Sequence, residues 1–207
     1  MLGVIVPARN EEDNIEAVIE NILDSNILAE DIYVLDNNST DKTRAIAEKK
    51  RVNVHLVKKL GYQSALKEGF QLLIKKKYSK FCIVDGDNEI VRESIKIAIK
   101  KSKDYDLVIG RRPFVKRFGE RIVNKLINYL YGIEDLMCGV KSGNLSLYNQ
   151  KNNLEYGIDL INFKEIPKRA IYNFQIKLNP RNETRLGNSF IVNIKLIANI
   201  LIFMVRR

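Results

Sequence analysis

The stretch "FCIVDGDNEI", residues 81 to 90, sets Asp85 and Asp87 one residue apart, directly after an apolar run. Two carboxylates that close repel each other, and neither has a lysine beside it to offset the repulsion. A polar turn is one reading, because Asp-Gly is a common way to leave a strand. A divalent cation is the other, since hard cations prefer carboxylate oxygens and cancel the like charge. Along an extended chain, residues i and i+2 point to the same side. Asp85 and Asp87 then face one ligand together, and Gly86 keeps the backbone between them clear.

The elements that must position these acids alternate along the first half of the chain. "LGVIV", "DIYVLD", "VNVHLV", "KFCIVD" and "YDLVIG" are short apolar runs that end in polar residues or glycine. Between them lie stretches with helical spacing, such as Ile15, Val18, Ile19 and Ile22 in "EDNIEAVIENIL". "STDKTRAIAEKK" opens on Ser39 as an N-cap and carries Asp41 in its first turn. Strands buried on both faces and alternating with helices predict an α/β fold, a mostly parallel sheet covered by helices. Ligands bind such sheets outside the carboxyl ends of the strands. "PARNEE", "DNNSTD" and "DGDNE" all fall there and predict one site.

Composition narrows the chemistry. The 207 residues carry 35 Lys+Arg against 25 Asp+Glu, a formal charge of +10 that favours an anionic partner. The two cysteines, Cys82 and Cys138, lie far apart without metal-binding spacing. That argues for reduced thiols in a cytoplasmic protein and against structural zinc. The one histidine, His55, sits in a strand-like run, so a Ser-His-Asp or Cys-His mechanism has little to draw on. "MLGVIVP" enters an apolar run at once and does not read as a signal peptide.

After Gly110 the chain turns basic, with Arg111, Arg112, Lys116, Arg117, Arg121 and Lys125 in "RRPFVKRFGERIVNK". This is either a solvated loop or a clamp for phosphate oxygens, which arginine grips bidentately. From Phe190 to Val205 only Asn193, Lys195 and Asn199 are polar. Sixteen helical residues span roughly 24 Å, short of the ~30 Å hydrocarbon core. With Asn188, Lys195, Asn199 and Arg206 on one side, this reads as an interfacial helix, residues 190–207, appended to a domain of residues 1–189. Packing on the domain itself is the alternative.

Taken in order, "VIVPARNEEDNI", "VLDNNSTDKT", "GYQSALKEG", "VDGDNE", "DLVIGRR", "EDLMCGVKSG" and "RLGNS" resemble the successive motifs of family 2 glycosyltransferases of the GT-A fold. The likeness is to the branch with dolichyl-phosphate mannose and glucose synthases. The resemblance implies a nucleotide pocket lined by Pro7, Ala8, Asn10, Glu11, Asp36, Asn37, Gly61, Asp85 and Gly86. It implies Mg²⁺ or Mn²⁺ on Asp85 and Asp87, with Glu89 as a further ligand. Asn37 stands where the family carries a second base-reading acid, which leaves the preferred base, and GDP- or UDP-hexose as donor, open. Arg111, Arg121 and Arg185 match or lie near basic residues that engage phosphate. Glu134 and Asp135 resemble the acidic pair from which many members take a base. With a hydroxyl acceptor Asp135 removes its proton; with an anionic lipid phosphate no base is needed.

These readings converge on an inverting, metal-dependent hexosyltransferase acting on a polyprenyl phosphate. It is expected at the cytoplasmic face of the cell membrane, alone or beside a membrane-spanning partner protein. A glycan or glycolipid hydroxyl acceptor is the rival. A nucleotidyltransferase lacks its glycine-rich, lysine-bearing start. A nucleic-acid-binding module lacks stacking aromatics among its basic residues, Phe114 and Phe118 aside. Nucleic acid is therefore not the expected partner. An inactive member that binds nucleotide sugar as a regulator is the remaining alternative.

Overall fold

The computed structural model describes residues 1–150, 160–179 and 190–205. Among them, strands β1 (Leu2–Ala8), β2 (Ile32–Asp36), β3 (Asn53–Leu56), β4 (Lys80–Val84), β5 (Leu107–Arg111), β6 (Val140–Asn144) and β7 (Ile171–Gln175) form one sheet in the order β3-β2-β1-β4-β6-β5-β7. All neighbours are parallel except β6, which runs antiparallel between β4 and β5. The parallel strands therefore leave the sheet at one edge, and β6 enters it there.

Helices α1 (Ile15–Leu23), α2 (Thr43–Lys49) and α4 (Arg92–Lys101) cover one face; α3 (Tyr62–Lys75), α5 (Phe118–Tyr131) and α6 (Phe190–Val205) cover the other. Strand alternation divides the core between them. Val4 and Val6 pack with Ile15, Val18, Ile19 and Ile22 of α1, while Ile5 packs with Phe70 and Leu73 of α3. Helix α2 starts later than the sequence suggests. Ser39 does not cap it: the cap position is Lys42, which makes no side-chain cap bond, and Asp41 just before it accepts the Thr43 backbone N–H on its Oδ1 at 2.9 Å.

The C-terminal helix packs on α5 and contributes to the core. Leu196, Ile200 and Phe203 enter the core, and Asn193 Oδ1 accepts the Gly119 N–H at 2.8 Å at the start of α5. Ile194, Leu201 and Ile202 point outward. No helix among the described residues is long and apolar enough to cross a membrane.

Candidate active site

At the edge where the parallel strands end, a cleft of about 330 Å³ opens. It is lined by Pro7, Ala8, Arg9 and Glu11 after β1, Asn37 after β2, Gly61 and Tyr62 at the start of α3, and Asp85, Gly86 and Asp87 after β4. Four separate segments thus bring their polar clusters to one place.

The rim is made rigid by cross-links between loops. Asn10, Asn38 and Asn88 each adopt φ between 54° and 59°, a left-handed conformation that asparagine tolerates better than most residues. The Asn10 N–H donates to Ser39 Oγ, and its Oδ1 accepts from the Thr40 N–H at 2.9 Å. Glu11 N–H donates to Thr43 Oγ1 at 2.7 Å. Asn10 therefore stitches the first two loops together and is absent from the cleft lining. Glu11 lines the cleft but is 3% exposed, its carboxylate accepting from Asn14 Nδ2 at 2.9 Å.

Asn37 explains itself in this geometry. Its Oδ1 accepts from Gly61 N–H at 2.9 Å and its Nδ2 donates to Gly61 O at 3.0 Å. An aspartate could make the first bond but not the second. The amide fixes the entry to α3, where Gly61 takes φ 127°, while Asn37 still lines the cleft. Asp36 is 2% exposed, accepts from the Ser39 N–H at 2.9 Å, and lies outside the cleft lining.

Asp85 is held from three sides. Its N–H donates to Gly139 O at 3.1 Å, and its Oδ1 accepts from the Tyr62 hydroxyl at 2.9 Å. Gly139 packs so closely that a Cβ there would sit 2.4 Å from Asp85 Oδ2. Gly86 is equally confined: a Cβ would lie 2.9 Å from Pro7 O. Asp87 Oδ1 accepts from the Glu89 N–H at 3.1 Å, closing the turn. Burial and the Asp87 charge push the Asp85 carboxyl up to about 7, against opposing pulls from Lys141 and the Tyr62 hydroxyl. Tyr62 was not legible as a site residue beforehand; only its place next to Gly61 pointed to it.

The elevated Asp85 acid carries a stability consequence. Its folded value lies above the unfolded one, so the folded chain binds more protons between about pH 4 and 7, and stability falls as pH rises through that window. Full linkage is worth about 4 kcal/mol; with solvent reaching the cleft, about 2 kcal/mol is expected. In metal-free buffer, Asp85→Asn should raise the melting temperature by roughly 4–8 °C at pH 8 and by little at pH 4. Equal melting of variant and wild type at pH 8 would contradict this.

The donor set suits a hard cation. Asp85 and Asp87 supply carboxylate oxygens, but no cluster of three metal-competent side chains exists among the described residues. Glu89 is not grouped with the two aspartates in this arrangement; its charge adds to the field on Asp85. Two carboxylates with the rest of the shell left to water and phosphate oxygens is how Mg²⁺ is commonly held at phosphate-transfer sites.

A second polar cluster lies at the ends of β5 and β6. Arg111 is paired with Glu134 Oε2 at 2.9 Å and donates to Gln175 Oε1 at 3.2 Å. Asp135 is fully buried. Arg112 donates to its Oδ2 through Nε at 2.7 Å and through the backbone N–H at 3.1 Å, and to its Oδ1 through a terminal nitrogen at 2.8 Å. Asn124 Nδ2 adds a bond to Oδ1 at 3.2 Å. Arg112 also reaches Glu120, which Arg117 joins. Burial alone would raise the Asp135 carboxyl, yet Arg112 and Asn124 hold it below the usual range. A carboxylate clamped in this way is poorly placed to take a proton from a substrate, so the expected role of Asp135 as a base finds no support in this geometry. The family resemblance pointed to Arg111; the residue that organises this cluster is Arg112. Arg121 is exposed on α5, 5.8 Å above the Phe118 ring. Arg185 lies outside the described residues.

The family model for glycosyl transferase family 2 matches residues 3–166, which include the cleft and all of the second cluster but Gln175. The chain belongs to glycosyl transferase family 2. Among curated members, RfbJ of Shigella flexneri is 34% identical over 113 residues, 54% of this chain and 84% of that protein. Glycosyltransferase AglJ of Haloferax volcanii is 27% identical over 150 residues; the match takes in 67% of this glycosyltransferase but 48% of AglJ. Glucosyl-3-phosphoglycerate synthase of Mycobacterium tuberculosis, solved with Mn²⁺ and UDP-glucose, superposes with a TM-score of 0.71 over 99% of this chain and 78% of that one, at 17% identity. The expected GT-A fold is thus the observed one.

Proposed function

We propose that this glycosyltransferase moves a hexose from a nucleoside-diphosphate sugar to a polyprenyl phosphate, inverting the anomeric carbon, with Mg²⁺ or Mn²⁺ held by Asp85 and Asp87. The observation that carries the donor half is the cleft itself, with both carboxylates on its wall beside the loops after β1 and β2. Mn²⁺ with UDP-glucose in the related synthase supports the same assignment. When bound, the cation neutralises charge on the departing nucleoside diphosphate. The protein contributes position: Gly139 and Tyr62 orient Asp85, Gly86 lets the backbone pass under Pro7, and Asn37 fixes Gly61.

The acceptor half rests on the surface beyond β5. Phe114, Phe118, Ile122 and Tyr129 are exposed along residues 114–129, and Ile194, Leu201 and Ile202 are exposed on α6, which packs on α5. Lys116, Arg121 and Lys125 are exposed among the first group. Apolar side chains interleaved with cations suit the surface of an anionic membrane at its cytoplasmic face. Arg111 and Arg121, on β5 and α5, are the arginines proposed to meet the acceptor phosphate, with Arg185 a further proposal. An anionic phosphate needs no base, in keeping with the burial of Asp135.

The test offers acceptors in parallel. Purified protein with Mn²⁺ and radiolabelled UDP- and GDP-hexoses is given membrane lipid extract, a soluble glycan, or 3-phosphoglycerate. Label entering the organic phase is the expected result. Label confined to the glycan or to phosphoglycerate would overturn the lipid assignment while leaving the donor site intact.

A further inference from the structure

Lys141 is a half-buried cation that the reaction described above does not use. It lies on β6, paired in register with Ile83 of β4 and Ile109 of β5, at the edge where those strands leave the sheet. Its ammonium donates to the carbonyl of Cys138. The next residue, Gly139, is the one whose carbonyl binds the Asp85 N–H and whose Cα abuts the Asp85 carboxylate. The segment 138–141, which leads into β6, thus runs past Asp85 and sets a lysine alongside it. No carboxylate among the described residues lies within ion-pair distance of Lys141, although the charges of Asp85 and Asp135 both act on it. An ammonium has three donors, and withdrawing it partly from water with a single carbonyl partner carries a cost.

We propose that Lys141 is a resident counter-cation that makes binding of the divalent metal and of the nucleoside diphosphate depend on each other. The inference rests on the metal reading of Asp85 and Asp87. With both carboxylates ionised, Asp85, Asp87 and Lys141 sum to one negative charge. A divalent cation arriving alone turns that to one positive charge and faces the lysine's repulsion. A cation arriving with a diphosphate brings its own anion, and Lys141 then attracts the pair. The lysine penalises the metal alone and favours the metal with its nucleotide. Binding of each therefore strengthens the other.

Mn²⁺ binding, read from the electron paramagnetic resonance signal of the free ion, tests this with and without UDP or GDP. Lys141→Met keeps the aliphatic stem, and removing a half-buried charge is not expected to unfold the chain; Lys141→Gln and Lys141→Arg are run beside it. In the Met and Gln variants Mn²⁺ alone should bind about 10-fold tighter and Mn²⁺ with nucleotide about 10-fold weaker. Lys141→Arg should retain the wild-type coupling. A melting temperature that stays level or rises, together with lost coupling, supports the proposal, because a purely structural lysine would not shift the two affinities in opposite directions. Unchanged coupling in folded Met or Gln variants would overturn it, provided wild type binds Mn²⁺ and Asp87→Asn does not. Absence of Mn²⁺ binding to wild type would overturn the metal reading and this inference with it.

Discussion

Asp87→Asn is expected to lower glycosyl transfer by about 10³-fold or more while leaving the fold intact. The size follows from what the carboxylate does. Departure of a nucleoside diphosphate places negative charge on phosphate oxygens, and a bound cation stabilises that charge in a cleft where water screens it poorly. An amide is nearly the same shape, so the turn closed by the Glu89 N–H can persist through the amide oxygen. What is lost is one of the two anionic ligands proposed for the cation. Asp85→Asn should behave alike in activity, with the added gain in stability at high pH described above. Initial rates with a labelled donor at saturating Mn²⁺, against thermal melts of the same preparations, check both. A variant that transfers at the wild-type rate would remove the metal from the account.

Asp135→Ala is expected to cost about 3–5 kcal/mol of stability, on the order of 10 °C in melting temperature. The alanine leaves Arg112 beside Glu120 without the carboxylate that receives three of its N–H groups. It also strips Asn124 of its acceptor, although the other end of that amide still accepts from the Leu136 N–H. A half-removed buried pair is worse than none, so Arg112→Met with Asp135→Leu should be milder than Asp135→Ala alone. Activity separates the roles. Asp135→Asn, assayed where it remains folded, should lose less than about 10-fold, since general-base loss typically costs 10²–10⁴-fold. A loss of 10³-fold in a folded Asn variant would restore Asp135 as a base and favour a hydroxyl acceptor.

Much of this fold was legible because its signals are local. Ile15, Val18, Ile19 and Ile22 repeat at helical spacing and are all buried on the sheet. The apolar runs ending in "PARNEE", "DNNSTD" and "DGDNE" became β1, β2 and β4, and their loops do share one cleft. What the sequence hid depends on contacts between distant segments. Arg111 and Arg112 are adjacent and alike, and only the strand end decides that one turns toward Glu134 and the other toward buried Asp135. Asn37 read as a departure in a base-reading pair, yet its partner, Gly61, is 24 residues away. Asp85 seemed to lack a lysine to offset its charge; Lys141 supplies it from an antiparallel strand inserted between two parallel ones. The apolar face of α6 gave no sign of how it would be divided, with Leu196, Ile200 and Phe203 inward and Ile194, Leu201 and Ile202 outward.

The central claim is that one cation sits between two acids at the end of β4 and shares a nucleoside diphosphate with the neighbouring loops. Anomalous diffraction from crystals grown with Mn²⁺ and UDP or GDP addresses it directly. The account predicts a single manganese peak bridging carboxylate oxygens of Asp85 and Asp87 and the diphosphate, with the nucleoside extending toward Pro7 and Gly61. Diphosphate bound in the cleft with no manganese at these two residues, or manganese bound only elsewhere, would contradict it.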